Sequence, residues 1–199
     1  MSKYSELIDN MVFSFSRLQA FYQCPYQWKL QYIDGLEGEN NFFAEYGNLV
    51  HSILEKYAKG EAEIYELPLL FEEQYDEFIQ HPAPPNKFCD LRVKYFEEGK
   101  AYFENFEGFG DYEIVDAERE FLFNIDNIKI KGYADLILRD KDGNLHVVDH
   151  KSSDPKSARS QKAREYWKQM YLYAIPIKEE YGVYPVKLHI NAFRKNQWF

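Results

Sequence analysis

The chain has 199 residues, 45% of them hydrophobic and 29% charged, which excludes a disordered or low-complexity polymer and suits one domain, or one domain with a helical addition. A formal net charge of −9 excludes a global basic field for polyanions, so any nucleic-acid site has to be local. No run approaches the roughly 18 apolar residues of a membrane span, and the start MSKYSELIDN lacks a signal peptide's basic end and apolar core, so no membrane contact and a cytoplasmic location are expected.

In chain order, Ser14 or Ser16 caps a predicted helix through RLQAFYQCPYQWKLQYI, with Pro25 marking an early turn or kink and Gly35 a stop. Leu49, Val50, Ile53, Leu54 and Tyr57 then recur at helical spacing, which predicts an amphipathic helix ending near Gly60. Segments 66–80 and 88–106 read as two further helices, parted by HPAPPN at 81–86, whose prolines cannot continue a helix. After Gly110 the period becomes alternating. Strands are predicted over 112–124, 127–139 and 145–150, joined around Asp126-Asn127 and Asp142-Gly143 as an antiparallel meander. A helical pattern from 157 to 181 stops at Gly182, and the strand-like VKLHINAFR follows. The expected fold class is therefore α/β, a mixed sheet with helices packed on it. A single domain is expected over 1–199, with a helical part at about 14–106 and a sheet core at about 111–193. Cys24 and Cys89 are too few for a disulfide framework or a self-contained zinc site and read as reduced core thiols.

Chemistry concentrates in the second and third strands. KIKGYADLIL sets Asp135 in an apolar run, where an unpaired carboxylate is costly to desolvate, and LHVVDHKSS repeats the oddity with Asp149. Lys151 shares a strand face with Asp149, while His150 points the other way. If the connecting loop has three or five residues centred on Asp142, Asp135 and Asp149 fall opposite one another. Two facing carboxylates need a positive charge between them, and a divalent cation with Lys151 beside it is the layout of metal-assisted phosphodiester hydrolysis. A buried Asp–Lys ion pair beside a solvated Asp is the alternative reading.

The segments SRLQAFYQCPYQWKLQY, GNLVHSILE, GYADLIL, VVDHKSS and QMYLY follow one another across about residues 14–173. As an ordered set they resemble the RecB-like nucleases of the PD-(D/E)xK superfamily, which include CRISPR-associated and recombination exonucleases. They look like that family's opening Cys-Pro helix, its Gly-xxx-His-xx-Leu-Glu helix, its Gly-xx-Asp and Asp-x-Lys strands, and its Gln-xxx-Tyr helix. The resemblance implies a restriction-endonuclease-like core. It also implies Mg²⁺ or Mn²⁺ held by His51, Asp135, Asp149 and the main-chain carbonyl of His150. Lys151 is then the catalytic lysine beside Asp149 and Asp135, and Gln169 and Tyr173, one helical turn apart, approach the scissile strand. From the residues alone, His51 reads as a half-buried partner of Glu55, Gln169 as solvated and Tyr173 as core.

The stretch KSARSQKAREYWK carries Lys156, Arg159, Lys162, Arg164 and Lys168 with only Glu165 opposing. It is a candidate phosphate ridge, with Tyr166 and Trp167 available for stacking; a solvated helix face is the alternative. Family members with an iron–sulfur cluster use the early cysteine and three later ones. Cys24 matches the first, but no cysteine follows Cys89, so no cluster is expected. The chain ends at Phe199, soon after the last predicted strand, as a minimal protein would, or one continued by a further C-terminal part.

The expected function is a metal-dependent DNA nuclease, an exonuclease acting on DNA ends or single strands. Two alternatives stand beside it. One is a catalytically silent nucleic-acid-binding or assembly protein that keeps the nuclease fold. The other is a nuclease module dependent on a helicase or CRISPR integration partner, since the chain has no Gly-rich Lys motif for a nucleotide-driven motor.

Overall fold

The computed structural model describes residues 4–36, 38, 40–153, 157 and 159–199. Three short helices come first: α1 (Ser5–Asp9), α2 (Phe15–Gln23) and α3 (Pro25–Tyr32). The one helix expected through this region is therefore two. Cys24 leaves helical geometry (φ −156°, ψ 99°) because Pro25, at the start of α3, pushes the residue before it to extended backbone. Ser14 caps α2 by accepting the Arg17 N–H, and Cys24 Sγ caps α3 by accepting the Gln27 N–H at 3.4 Å. Cys24 is thus a partly exposed cap and Cys89 is exposed, which corrects the expectation of two core thiols.

Asn41 caps α4 (Phe42–Ala58), its side chain accepting the Phe43 and Ala44 N–H groups. The helix buries a stripe of Phe42, Tyr46, Leu49, Val50, Ile53 and Leu54, the spacing that marked it in the sequence. Helices α5 (Leu67–Phe78) and α6 (Leu91–Glu104) follow, close to their predicted bounds. Gly99 lets α6 seat on Phe71 of α5, where an added Cβ would lie 2.2 Å from the ring.

The sheet comprises β1 (Glu113–Ile125), β2 (Ile128–Arg139), β3 (Leu145–Lys151), β4 (Lys187–Ala192) and the short β5 (Gln197–Trp198), in that spatial order among the described residues. Helix α7 (Gln161–Tyr181), capped by Ser160 and stopped by Gly182 at φ 79°, is the crossover that makes β4 parallel to β3. The other pairings between these strands are antiparallel. Neither α1 nor β5 is long enough to leave a periodic signal in the sequence. Phe13, just before α2, bridges Ile130 of β2 and so ties the N-terminal helices to the sheet.

Helices cover both faces of the sheet, which explains the near-continuous apolar runs of β2 and β3. One core joins α4, α5 and α6 to Ala117, Leu136, Leu138 and Val148. The other lies under α7 and takes Phe121, Phe123, Ile130, Ala134, Ile137 and Val147. Strict alternation would place Ala134 with Leu136, yet they belong to opposite cores. The slip falls at the level of Glu118, whose φ of +51° puts a non-glycine residue in the left-handed region in mid-strand. Among the described residues no helix is long and apolar enough to cross a membrane.

Candidate active site

The register of β2 on β3 is the one centred on Asp142, with Leu136 opposite Val148 and Leu138 opposite His146. The ladder stops there. One step further along, the His150 N–H donates to Asp135 Oδ2 at 2.7 Å. Asp135 is thus anchored on the β3 main chain. Asp149 and Lys151 share a face, as alternation requires, and Lys151 Nζ stands 2.8 Å from each Asp149 oxygen. Only Oδ1 meets hydrogen-bond geometry, which leaves Oδ2 buried without a hydrogen-bond partner.

Helix α4 brings His51 over this end of the sheet. Its partner is not Glu55, which pairs with Lys59, but the β3 main chain: Nε2 lies 2.9 Å from the His150 carbonyl oxygen. Nδ1 faces two carboxylates, Glu118 at 3.6 Å and Asp135 at 3.7 Å. His51, Glu118 and Asp135 present three ligand atoms within 4.8 Å of one another. Glu118 was not singled out in the sequence, because one Glu in a solvated-looking strand carries no motif. The available signal was its place opposite Asp135 in the hairpin, which only the register reveals.

The His150 side chain points away, as expected, into a buried polar relay. Its Nδ1 accepts from Asn191 Nδ2 at 3.0 Å, and the same amide nitrogen donates to Tyr102 OH at 2.9 Å. Burial lowers its pKa to about 3, so the ring is neutral and serves to fix the carbonyl beside His51.

Charge in this cluster is unbalanced. Burial pushes Asp149 up to about 6, with the Asp135 charge adding to the rise and Lys151 opposing it. Burial also works to raise Asp135, but His51 and Lys151 outweigh it and its carboxyl is lowered. Burial works to lower Lys151 and His51, and neighbouring carboxylates raise both. Three carboxylates therefore converge on one ammonium and one imidazole, an excess of negative charge that a divalent cation would relieve. Asp149 Oδ2, buried beside the Lys151 ammonium but without a hydrogen bond, fits that need. His51 Nε2 donates to the His150 carbonyl oxygen at 2.9 Å, so an imidazole nitrogen and a carbonyl oxygen that could both serve as ligands already stand side by side.

Gln169 and Tyr173 lie on one face of α7, with Gln169 Nε2 donating to Tyr173 OH at 3.3 Å. Both line a cleft of about 490 Å³ with Asp135, Gly132, Tyr133, Lys131 and the segment Val12–Ser14 with Ser16 and Arg17. Tyr173 is buried at 6% exposure, as a core residue is, and its ring packs against Gly132, where an added Cβ would come within 2.2 Å.

The basic stretch is less uniform than its sequence. Lys156 lies outside the described residues. Arg159, Lys162, Arg164 and Lys168 are exposed, and Lys168 pairs with Glu165 at 3.1 Å. Tyr166 and Trp167 are partly buried against the core under α7. Tyr166 is not an outward stacking platform: Lys151 Nζ sits 5.1 Å above its ring, and its hydroxyl bonds Ser153. Tyr22 of α2, edge-on to Phe21, is an exposed aromatic near this stretch, at 85% exposure. It lines a groove between α2 and α7 with Gln161, Glu165 and Lys168.

Three curated relatives, from Streptococcus agalactiae serotypes Ia, V and III, are each named as a subunit of an ATP-dependent helicase/deoxyribonuclease. Each is 30% identical over 165 residues, an alignment taking in 74% of this chain and 15% of the relative. The chain thus spans about 15% of the length of the curated relatives it matches. A model of the PD-(D/E)XK nuclease superfamily matches residues 12–197, from the segment that bridges β2 to the last strand. With Asp135 and the Asp149–Lys151 pair at the end of a mixed sheet flanked by helices, the chain belongs to the PD-(D/E)XK nuclease superfamily and has its restriction-endonuclease-like fold.

Proposed function

We propose that this protein is a divalent-metal-dependent deoxyribonuclease, acting as an exonuclease on DNA ends or single strands. The observation that carries the reading is the Asp149–Lys151 ion pair, 2.8 Å apart with one buried Asp149 oxygen making no hydrogen bond, beside Asp135. Asp149, Asp135, His51 Nε2 and the His150 carbonyl would hold Mg²⁺ or Mn²⁺. When bound, the ion supplies an acidified water and offsets charge on the phosphate. Lys151 places its ammonium where negative charge grows on the phosphate as water adds. Hydrolysis forms one bond from water oxygen to phosphorus, breaks one ester P–O bond, and leaves a proton on the departing oxygen. Gln169 and Tyr173 orient the strand in the cleft that opens onto Asp135. Exposed Lys162 and Arg164 lie at the start of α7, toward an approaching backbone. The relatives' name favours a helicase partner over a CRISPR integration partner for this module.

The test is cleavage of end-labelled single- and double-stranded DNA in Mn²⁺. Wild type is expected to cleave and to stop in EDTA. Asp149→Asn and Lys151→Ala are each expected to lose about 10²–10³-fold or more in rate with circular dichroism unchanged. Cleavage that persists in EDTA, or in both variants, overturns the assignment. DNA binding without cleavage in Mn²⁺ favours the silent binding protein instead.

A further inference from the structure

The cation site proposed for this cluster gives His51 one working nitrogen and leaves the other unexplained. Its Nε2 faces the His150 carbonyl, whereas Nδ1 faces Glu118 Oε1 at 3.6 Å and Asp135 Oδ2 at 3.7 Å. Asp135 Oδ2 already accepts the His150 N–H. Glu118 Oε1 has no other partner among the described residues. The Glu118 side chain is 27% exposed and the His51 side chain 28%. Glu118 also stands at φ +51°, a backbone conformation that disfavours any side chain but glycine. Where a strand accepts such a conformation, the side chain placed by it is a candidate for function.

We propose that Glu118 is a positioning residue: Nε2 donates to the His150 carbonyl in the structure as it stands, and when a cation takes the place of that proton the Glu118 carboxylate holds the proton on His51 Nδ1, which fixes the ring and leaves Nε2 as the nitrogen that meets the cation. The chemistry is a carboxylate–imidazole–cation relay. The hydrogen bond made by one ring nitrogen decides which of the two is free to ligate, and the outer carboxylate raises the basicity of the inner nitrogen. Here the relay runs from β1 through α4 to the end of β3. Asp135 Oδ2, at 3.7 Å from Nδ1, already accepts the His150 N–H, so Glu118 is the carboxylate beside Nδ1 with no other hydrogen bond to share among the described residues. The contact at 3.6 Å is longer than a hydrogen bond, and such contacts tighten when a site is filled. This role rests on the cation reading of the site but assigns a residue that reading does not use.

Mn²⁺ binding, followed by calorimetry on the intact chain, tests it with Glu118→Ala and Glu118→Gln. Glu118→Ala is expected to weaken Mn²⁺ about 10–100-fold with the melting temperature of the metal-free protein unchanged. Glu118→Gln, whose amide oxygen still accepts from Nδ1, is expected to keep most of the affinity. ¹⁵N shifts of His51 in the Mg²⁺-bound protein should report a protonated Nδ1 in wild type and a mixture of tautomers in Glu118→Ala. Full Mn²⁺ affinity in Glu118→Ala overturns the role of Glu118 alone. Equal losses in the Ala and Gln variants overturn it in favour of Glu118 as a direct ligand. A wild-type protein that binds no Mn²⁺ overturns the cation site itself and the relay with it.

Discussion

Replacing Gly132 by alanine tests the placement of Tyr173 without touching Tyr173. A Cβ on Gly132 would stand 2.2 Å from Cε1, 2.8 Å from Cδ1 and 2.9 Å from Cζ of that ring. Carbon atoms in contact prefer about 3.5–4.0 Å, so the ring or the strand has to yield by about 1.3 Å or more. Tyr173 is 6% exposed and has little room to yield. Overpacking of this kind costs about 1–3 kcal/mol. Removing a glycine from a strand returns about 0.5–1 kcal/mol. A net loss centred on about 1 kcal/mol and reaching about 2.5 kcal/mol follows, equivalent to about 2–4 °C in Tm per kcal/mol for a chain of this size. Urea unfolding of Gly132→Ala, Tyr173→Ala and the double variant measures it: in the Tyr173→Ala background the new methyl has space, so the two losses should fail to add. Single-turnover cleavage should fall together with stability, by about 10²-fold, if the ring's position matters to the strand in the cleft. A Gly132→Ala protein as stable as wild type, with additive effects, would refute the packing argument.

Two further outcomes are expected. Lys162→Ala with Arg164→Ala should flatten the salt dependence of DNA binding, measured in Ca²⁺, by one to two phosphate contacts, each about 0.7 in log–log slope for single strands and 0.9 for duplex; an unchanged slope would make this helix turn a solvated face. His189 is lowered to about 4 by burial and by the nearby His146 and Lys187, against about 6.5 in an unfolded chain. Between those values the unfolded state binds the extra proton, so stability is complete above about pH 6.5 and falls as pH drops toward 4. Because the imidazole is only partly buried, the screened effect is on the order of 1 kcal/mol. His189→Gln should flatten the stability–pH curve in that window, and an identical curve would contradict the shift.

Much of the scaffold is local and was therefore legible. Helix α4 shows in the spacing of its buried stripe, and α7 in its stop at Gly182. The β2–β3 register follows from the loop centred on Asp142, because hairpin geometry is set within a few residues. The family motifs are likewise local, most on a single element and the first across the adjoining α2 and α3, which is why an ordered set of weak segments sufficed to place the chain. Pro25 announced a turn or kink, but whether the helix bends or breaks depends on what caps the second half, and there Cys24 does so.

What the sequence left undecided is the set of contacts made across elements. His51 and the His150 carbonyl meet over a separation of 99 residues, and no periodicity carries that distance. The slip at Glu118 turns the strand pair from one core to the other and brings a carboxylate to the imidazole, yet in the sequence Glu118 is one acidic residue among many. Tyr166 was a candidate for stacking in the basic stretch, but it packs against the core under α7 with Lys151 Nζ 5.1 Å from its ring. Gly132 looked like a motif letter, and its reason is the Tyr173 ring that occupies the space of its missing side chain. Local chain stiffness and hydrophobic period determined the elements; only close packing of those elements on both faces of one sheet decided which charges share a site.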